Sequence, residues 1–324
     1  MGGNALFETH GLESKRMTVQ QYEHLKENVS KFLDNLDIDY RHVKTYHTKD
    51  SFGDLDIVVS RGKMSVTKIR QYLKIGNLPM TNEFTMSENV SGISTLVTGF
   101  QIDFIFVEPE ELESATTYYS YNDIWNLLGK VIKTWDYKLG WQGLVYTYRN
   151  GTHYKEDIVL TYDLYTALDI LGLSVDRYLQ GFDTHEDMFD YVISSKAFDP
   201  SKFALENLNH RNRVRDRKRQ TYNLFLQYIE GKEYPEPQAL IRPEERFPFL
   251  VNEIKKRDDK FTDANNAKKI INGNIIREYT GLEDIKIKKI LETFRARFPV
   301  EDILMLSSNE VKNIILDIVR EFDL

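Results

Sequence analysis

The chain has 324 residues, 41% hydrophobic and 29% charged, with a formal net charge of −7. That length and mixture predict an ordered globular protein of two or three domains, and the acidic balance excludes one that coats nucleic acid indiscriminately, while leaving room for local basic patches. Cysteine is absent and the seven histidines lack the paired spacing of a zinc site, which excludes disulfides and thiolate chemistry and leaves oxygen as the main donor for any metal.

The opening stretch MGGNALFETH carries no signal-peptide core, and no apolar run is long enough to cross a bilayer, so a cytoplasmic location with no membrane partner is expected. Thr18 and Gln21 have capping-box spacing ahead of Tyr22, Leu25, Val29, Phe32, Leu33 and Leu36, which predicts a first amphipathic helix. Strands are expected at 39–45, 55–60, 93–98 and 100–107, the last two hinged at Gly99, with a short helix over 66–73.

Beyond Glu113 helices dominate, beginning with Ile124, Leu127, Leu128 and Val131 on one face. Asn150-Gly151 marks a hairpin turn between strands at 145–148 and 154–158. Thr161 is expected to cap a helix that Gly172 stops, and further helices are expected after Thr184 and Asn207. Residues 231–249 hold four of the eight prolines and read as a linker. A helical tail follows, with Ile287, Ile290, Leu291, Phe294 and Phe298 on one face and Ser307 with Glu310 capping its last helix.

The chemistry concentrates in the second strand. Asp54 and Asp56 are two residues apart in an otherwise apolar run and therefore share a face, where they repel each other. Asp103 interrupts FQIDFIFV, opposite in facing to Ile102, Phe104 and Phe106. Were the two strands neighbours, three carboxylates would converge into the hard-oxygen surrounding that Mg²⁺ prefers. Two such ions about 3.5–4 Å apart clamp the attacking and leaving oxygens of a phosphoryl displacement. Asp54 and Asp56 are then expected to hold the triphosphate of a nucleotide substrate, and Asp103 to ligate the second ion and assist deprotonation of an acceptor hydroxyl. The competing reading places both aspartates in an exposed turn and pairs Asp103 with an arginine.

With Gly53 in front of the pair, Gly53, Asp54, Asp56 and Asp103 resemble the G-x-D-x-D and distant Asp of the DNA polymerase β-type nucleotidyltransferase superfamily. The resemblance implies an α+β fold with a small mixed β-sheet of polymerase β-like palm type, helices on one face, followed by mainly α-helical domains. It divides the chain into a catalytic domain at 1–113, a helical domain with a β-hairpin and a basic helix at 114–235, and a linker with a helical tail at 236–324. The implied cofactor is Mg²⁺, two ions, with Mn²⁺ as an alternative, and the implied substrate is a nucleoside triphosphate. One departure stands out: Thr45-Tyr46-His47-Thr48 occupies the place where the superfamily has Gly-Gly or Gly-Ser to cradle phosphate.

Over most of its length the chain is similar to uncharacterised viral and phage-type nucleotidyltransferases, through MGGNAL, Lys15-Arg16, Lys49, SYNDIWNLLGKV and LNHRNRVRDRKRQTY. That likeness implies that Gly2, Gly3 and Asn4 replace the missing phosphate loop, with Lys49 as a further phosphate contact. In the tail, INGNIIREYTGLEDIKIKKILETFRARF looks like a segment of CCA-adding tRNA nucleotidyltransferases at Gly273, Gly281 and Leu282, with Asp284-Ile285 in place of a second glycine.

From Arg211 to Arg219, RNRVRDRKR holds six basic residues and one acid, a pattern suited to nucleotide or RNA phosphates as well as to a solvated face. Arg211, Arg213 and Arg215 are the candidate contacts, and Asp216 with Arg219 has the D-x-x-R spacing that reads base edges in some tRNA nucleotidyltransferases. Tyr118, Tyr119, Tyr121, Trp125, Trp135 and Trp141 can stack a base or fill a core. The acceptor expected on these grounds is an RNA, tRNA-like 3′ end; a protein or small-molecule hydroxyl, or a binding module without turnover, are the alternatives.

Overall fold

The computed structural model describes residues 5–62, 65–87, 90–121, 123–150 and 154–323. The chain divides into two compact units, Met1–Thr147 with Glu156–Arg246, and Tyr148–Lys155 with Phe247–Leu324. The fold is α+β, with a small mixed sheet and a largely helical remainder.

The first unit opens with helix α1 (Ala5–His10), a two-residue strand β1 (Met17–Thr18) and helix α2 (Val19–Asn35). Thr18 caps α2 as its spacing predicts: its hydroxyl accepts from the Gln21 amide, and the Gln21 side chain accepts from the Thr18 amide at 2.9 Å. Then come β2 (Tyr40–His42), β3 (Ser51–Phe52), β4 (Asp54–Ser60), α3 (Ser65–Ile75), β5 (Phe84–Ser87), β6 (Val90–Val97) and β7 (Phe100–Val107). Five of these strands form one sheet in the order β2-β4-β7-β6-β5, antiparallel throughout except for the parallel pair β4 and β7. Thr98 and Gly99, both at positive φ (52° and 87°), make the two-residue turn between β6 and β7.

Strand alternation sorts the two faces. Leu55, Ile57, Val59, Ile102, Phe104 and Phe106 pack with Leu25, Val29 and Leu33 of α2 and Ile69 and Leu73 of α3. Val58, Ile105 and Val107 lie on the other face, against Leu112 and Ala115 of the short helix α4 (Leu112–Tyr119). Burial on both faces is what a central parallel pair needs. The strand expected at 39–45 is only three residues long. Lys44 leaves the sheet edge because its amide donates to Ser120 Oγ at 3.0 Å and its carbonyl accepts from the Tyr121 amide at 2.8 Å.

The chain continues with α5 (Ile124–Ile132), the strands β8 (Tyr137–Gly140), β9 (Gly143–Asn150) and β10 (Tyr154–Thr161), and the helices α6 (Tyr165–Leu171), α7 (Val175–Gln180), α8 (His185–Ile193), α9 (His210–Arg217), α10 (Gln220–Ile229) and α11 (Pro243–Arg246), with Tyr148–Lys155 of the hairpin belonging to the second unit. The strands form a second sheet in the order β10-β9-β8; Gly151 of the expected turn lies outside the described residues. Two expected caps move. Thr161 ends β10, and it is the Asp163 carboxylate that accepts from the Tyr165 amide at 2.9 Å at the start of α6. Asn209, not Asn207, caps α9, accepting from the Asn212 amide at 2.9 Å. Two residues able to cap stand two positions apart at both places, Thr161 with Asp163 and Asn207 with Asn209, and backbone φ/ψ selects between them.

The second unit contains α12 (Phe249–Ile270), α13 (Gly273–Thr280), α14 (Asp284–Arg297), α15 (Val300–Met305) and α16 (Ser308–Glu321). Its core gathers Ile276, Ile287, Ile290, Phe294, Ile315 and Ile318, and the Ser307–Glu310 capping box starts α16.

Candidate active site

The carboxylates meet. Asp56 and Asp103 are register partners across the parallel pair, and Asp54 is two residues before Asp56 on the same face of β4. One oxygen from each of the three can be chosen so that all lie within 4.8 Å of one another, and all three side chains are half-buried. Among the described residues none of the three forms a salt bridge, so the arginine partner of the competing reading is not there.

Local packing fixes how the pair enters the sheet. Met17 pairs with Phe52 across the β1–β3 bridge, and the Tyr22 ring stacks on the Phe52 ring at 3.9 Å between centroids. Chain direction at Gly53 and Asp54 is thus set from two sides. On β7, Gln101 lies two residues before Asp103 and therefore on its face; its Nε2 donates to both carboxylate oxygens at 2.9 Å. Gln101 is 1% exposed, and its Oε1 is buried with no partner among the described residues.

Crowding of like charge appears in the proton affinities. Burial, then Asp54 and Asp103, push the Asp56 carboxyl well above the carboxylate range, with Lys49 opposing. Burial, helped by Asp54, lifts Asp103 from 3.8 to about 6. The Lys49 ammonium, 4.8 Å from the centroid of the Phe52 ring, is drawn down by burial and held up by Asp54 and Asp56.

The carboxylates floor a cleft of about 690 Å³, inside the first unit. Lys49 and Gly53 line it, whereas Gly2, Gly3 and Asn4 lie outside the described residues. Residues 45–48, in the place of the expected glycine loop, are bonded to the opposite wall. The His47 amide donates to the Phe182 carbonyl at 3.0 Å, His47 Nδ1 lies 2.9 Å from Asp183 Oδ1, and Thr48 Oγ1 donates to the Asp183 carbonyl. The cleft is completed by residues that the sequence reading did not select: Arg16, Thr184, His185, Glu186, Gln220 and Thr221. Arg16 is held by Ser51, donating to its Oγ at 2.7 Å and its carbonyl at 3.0 Å. Arg16 stands in the sequence only as half of the Lys15-Arg16 pair that carries the family resemblance, with no role attached.

The basic run separates into different roles. Asp216 is fully buried, accepting from Lys130 Nζ at 2.7 Å and Arg215 Nε at 2.8 Å, so it joins α9 to α5 instead of facing the cleft. Arg219 pairs with Asp123, and Arg213 donates to the carbonyls of Glu206 and Leu208 at 3.3 and 2.9 Å. Arg215 also reaches Asn126 Oδ1 at 3.0 Å, and Arg211 is exposed without an ion pair among the described residues. Of the aromatic candidates, Tyr121 and Trp125 are core, the Trp125 indole donating to the Tyr178 hydroxyl at 3.0 Å.

The donor set fits a divalent cation. Three carboxylates without a salt bridge among the described residues, partly desolvated and converging from two adjacent strands, could hold a metal ion that takes oxygen ligands. Among the described residues no helix is long and apolar enough to cross a membrane.

No family model matches the chain, and no curated protein does. Among solved structures it is similar to Leishmania infantum polymerase beta in a ternary gap complex, at 12% identity over 49% of this chain and 68% of that one, with a TM-score of 0.35. It is also similar to the same organism's polymerase beta in a ternary P/T complex, at 12% identity over 52% and 88% of the two chains, with a TM-score of 0.36.

Proposed function

We propose that the chain is a metal-dependent nucleotidyltransferase that moves a nucleoside monophosphate from a nucleoside triphosphate onto a hydroxyl, releasing pyrophosphate. The observation that carries this reading is the convergence of Asp54, Asp56 and Asp103 within 4.8 Å in a cleft large enough for a nucleotide. When bound there, Mg²⁺ or Mn²⁺ neutralises the carboxylates and polarises the transferring phosphoryl group.

Asp54 and Asp56 hold that charge on one strand and Asp103 on the next, while Lys49 contributes a cation for the triphosphate. In the reaction the acceptor oxygen bonds to the α-phosphorus, the bond from that phosphorus to the β-phosphate oxygen breaks, and pyrophosphate departs with the electron pair. The hydroxyl proton passes to an Asp103 carboxylate oxygen.

The acceptor we infer is an RNA 3′ end, tRNA-like in kind. Its support is the basic helix α9, whose following residues Gln220 and Thr221 line the cleft. In this division of labour residues 1–113 carry the chemistry, 114–235 the acceptor contacts, and 236–324 an accessory helical tail. The net charge of −7 favours a second reading in which the hydroxyl belongs to a protein or small molecule.

Each α-labelled nucleoside triphosphate, incubated with Mg²⁺ and total RNA alongside Asp54→Ala, tests these readings. Label in RNA that disappears in the variant supports the first; label in protein supports the second. No label with any nucleotide overturns both and leaves a binding module.

A further inference from the structure

Residues in and just after helix α9 line two concavities of the first unit. Gln220 and Thr221, just after it, line the carboxylate cleft. Asn212, in its first turn, lines a separate pocket of about 380 Å³ together with Lys130, Lys133, Thr134, Lys202 and Asn207.

This second pocket has three lysines and no carboxylate in its lining, in a chain whose formal net charge is −7. Lys130 is committed to buried Asp216, at 2.7 Å. Lys133 is exposed and has no ion pair among the described residues, and Lys202 reaches only Asp199, at 3.7 Å, beyond hydrogen-bond distance. Lone lysines on a convex surface are simply solvated. Here the exposed Lys133 ammonium, the Lys202 ammonium in its long pair with Asp199, a threonine hydroxyl and two carboxamides surround one cavity, which is donor chemistry for a phosphate. The floor is held in place, since Asn207 Nδ2 donates to the Ser201 carbonyl at 2.8 Å and Arg213 clamps the carbonyls of Glu206 and Leu208.

The eight residues of α9 rise about 12 Å, and stacked nucleotides rise about 3.4 Å each, so a strand running past the helix spans several nucleotides. Arg211, Arg215 and Lys218 recur along one side of that path at helical spacing. We propose that the lysine pocket binds a backbone phosphodiester of a single-stranded RNA acceptor, several nucleotides upstream of the 3′ end held in the cleft, with Lys133 and Lys202 as the contacts. This rests on the nucleotidyltransferase reading with an RNA acceptor.

Fluorescein-labelled oligouridylates of about ten and about three nucleotides, titrated at several salt concentrations, test it. For Lys133→Glu/Lys202→Glu the longer oligomer binds about ten-fold more weakly near 0.1 M salt, with a log–log salt slope shallower by about 0.7, the value for one phosphate contact on a single strand. The trimer, too short to reach from the cleft, binds as to the wild type. Should the glutamate pair lower the melting temperature, Lys133→Gln/Lys202→Gln replaces it, with the same slope change expected. Unchanged affinity and slope for the longer oligomer overturn the proposal, as does equal weakening of both lengths, which marks a diffuse field. The label-transfer assay separates the two levels: transfer to RNA with unchanged binding removes the pocket alone, whereas no transfer to RNA removes the reading beneath it as well.

Discussion

The side-chain amide of Gln101 donates to both carboxylate oxygens of Asp103, at 2.9 Å each, from a position that is 1% exposed. A carboxylate held by both oxygens has one orientation, and outer partners of this kind typically tune metal affinity 10- to 100-fold, by about 1.4 to 3 kcal/mol. Gln101→Leu, of similar size but without the donor, is expected to weaken Mn²⁺ binding by about ten-fold in an electron paramagnetic resonance titration. Wild-type affinity in a folded variant would show that Gln101 only fills space.

Burial and Asp54 raise Asp103 from 3.8 to about 6, so between those values the folded protein holds a proton that the unfolded chain has lost. Ionisation thus destabilises the fold above about pH 6, and that burden lifts as pH falls through 6. Burial acts oppositely on His42, drawn from 6.5 down to about 4, which costs stability as pH falls through the same region. The Asp103 contribution is therefore read as the difference between wild type and Asp103→Asn in urea denaturation with chelator present. Relative to the variant, the wild type gains stability from pH 7 to pH 5; a constant difference refutes the assignment.

Bound divalent metal demands ionised carboxylates, so its affinity falls as protons compete. Mn²⁺ should bind more weakly at pH 5 than at pH 7, with proton release on binding visible in calorimetry as a buffer-dependent enthalpy. Equal affinity and no proton release would contradict the raised proton affinities of Asp56 and Asp103.

Asp216 and Arg211, five residues apart, are expected to separate stability from binding. Asp216→Ala strands Lys130, whose side chain is 9% exposed, and should cost about 3 kcal/mol in chemical denaturation. Arg211→Ala, at an exposed position, should leave stability within about 0.5 kcal/mol and weaken RNA binding. The reverse pattern would remove the basic helix from the acceptor path.

Elements governed by local rules were legible in the sequence. The Thr18 and Ser307 capping boxes, the strands carrying Asp54, Asp56 and Asp103, and the Gly172 stop at φ 72° all follow from spacing within a few residues. The far wall of the cleft was not legible, because residues 183–186 and 220–221 reach it through packing between segments more than a hundred residues apart in sequence from Lys49. Asp216 misled for the same reason: its D-x-x-R spacing is local, but its partner Lys130 is 86 residues away. Gln101 was readable and passed over, since position i−2 on a strand shares the face of Asp103.

The most direct test of the account is a Mn²⁺ titration, followed by electron paramagnetic resonance, of wild type beside a variant carrying Asp54→Asn, Asp56→Asn and Asp103→Asn. Saturable binding by the wild type that vanishes in a folded triple variant is the predicted result. Binding that survives all three substitutions, or none in the wild type, would contradict it.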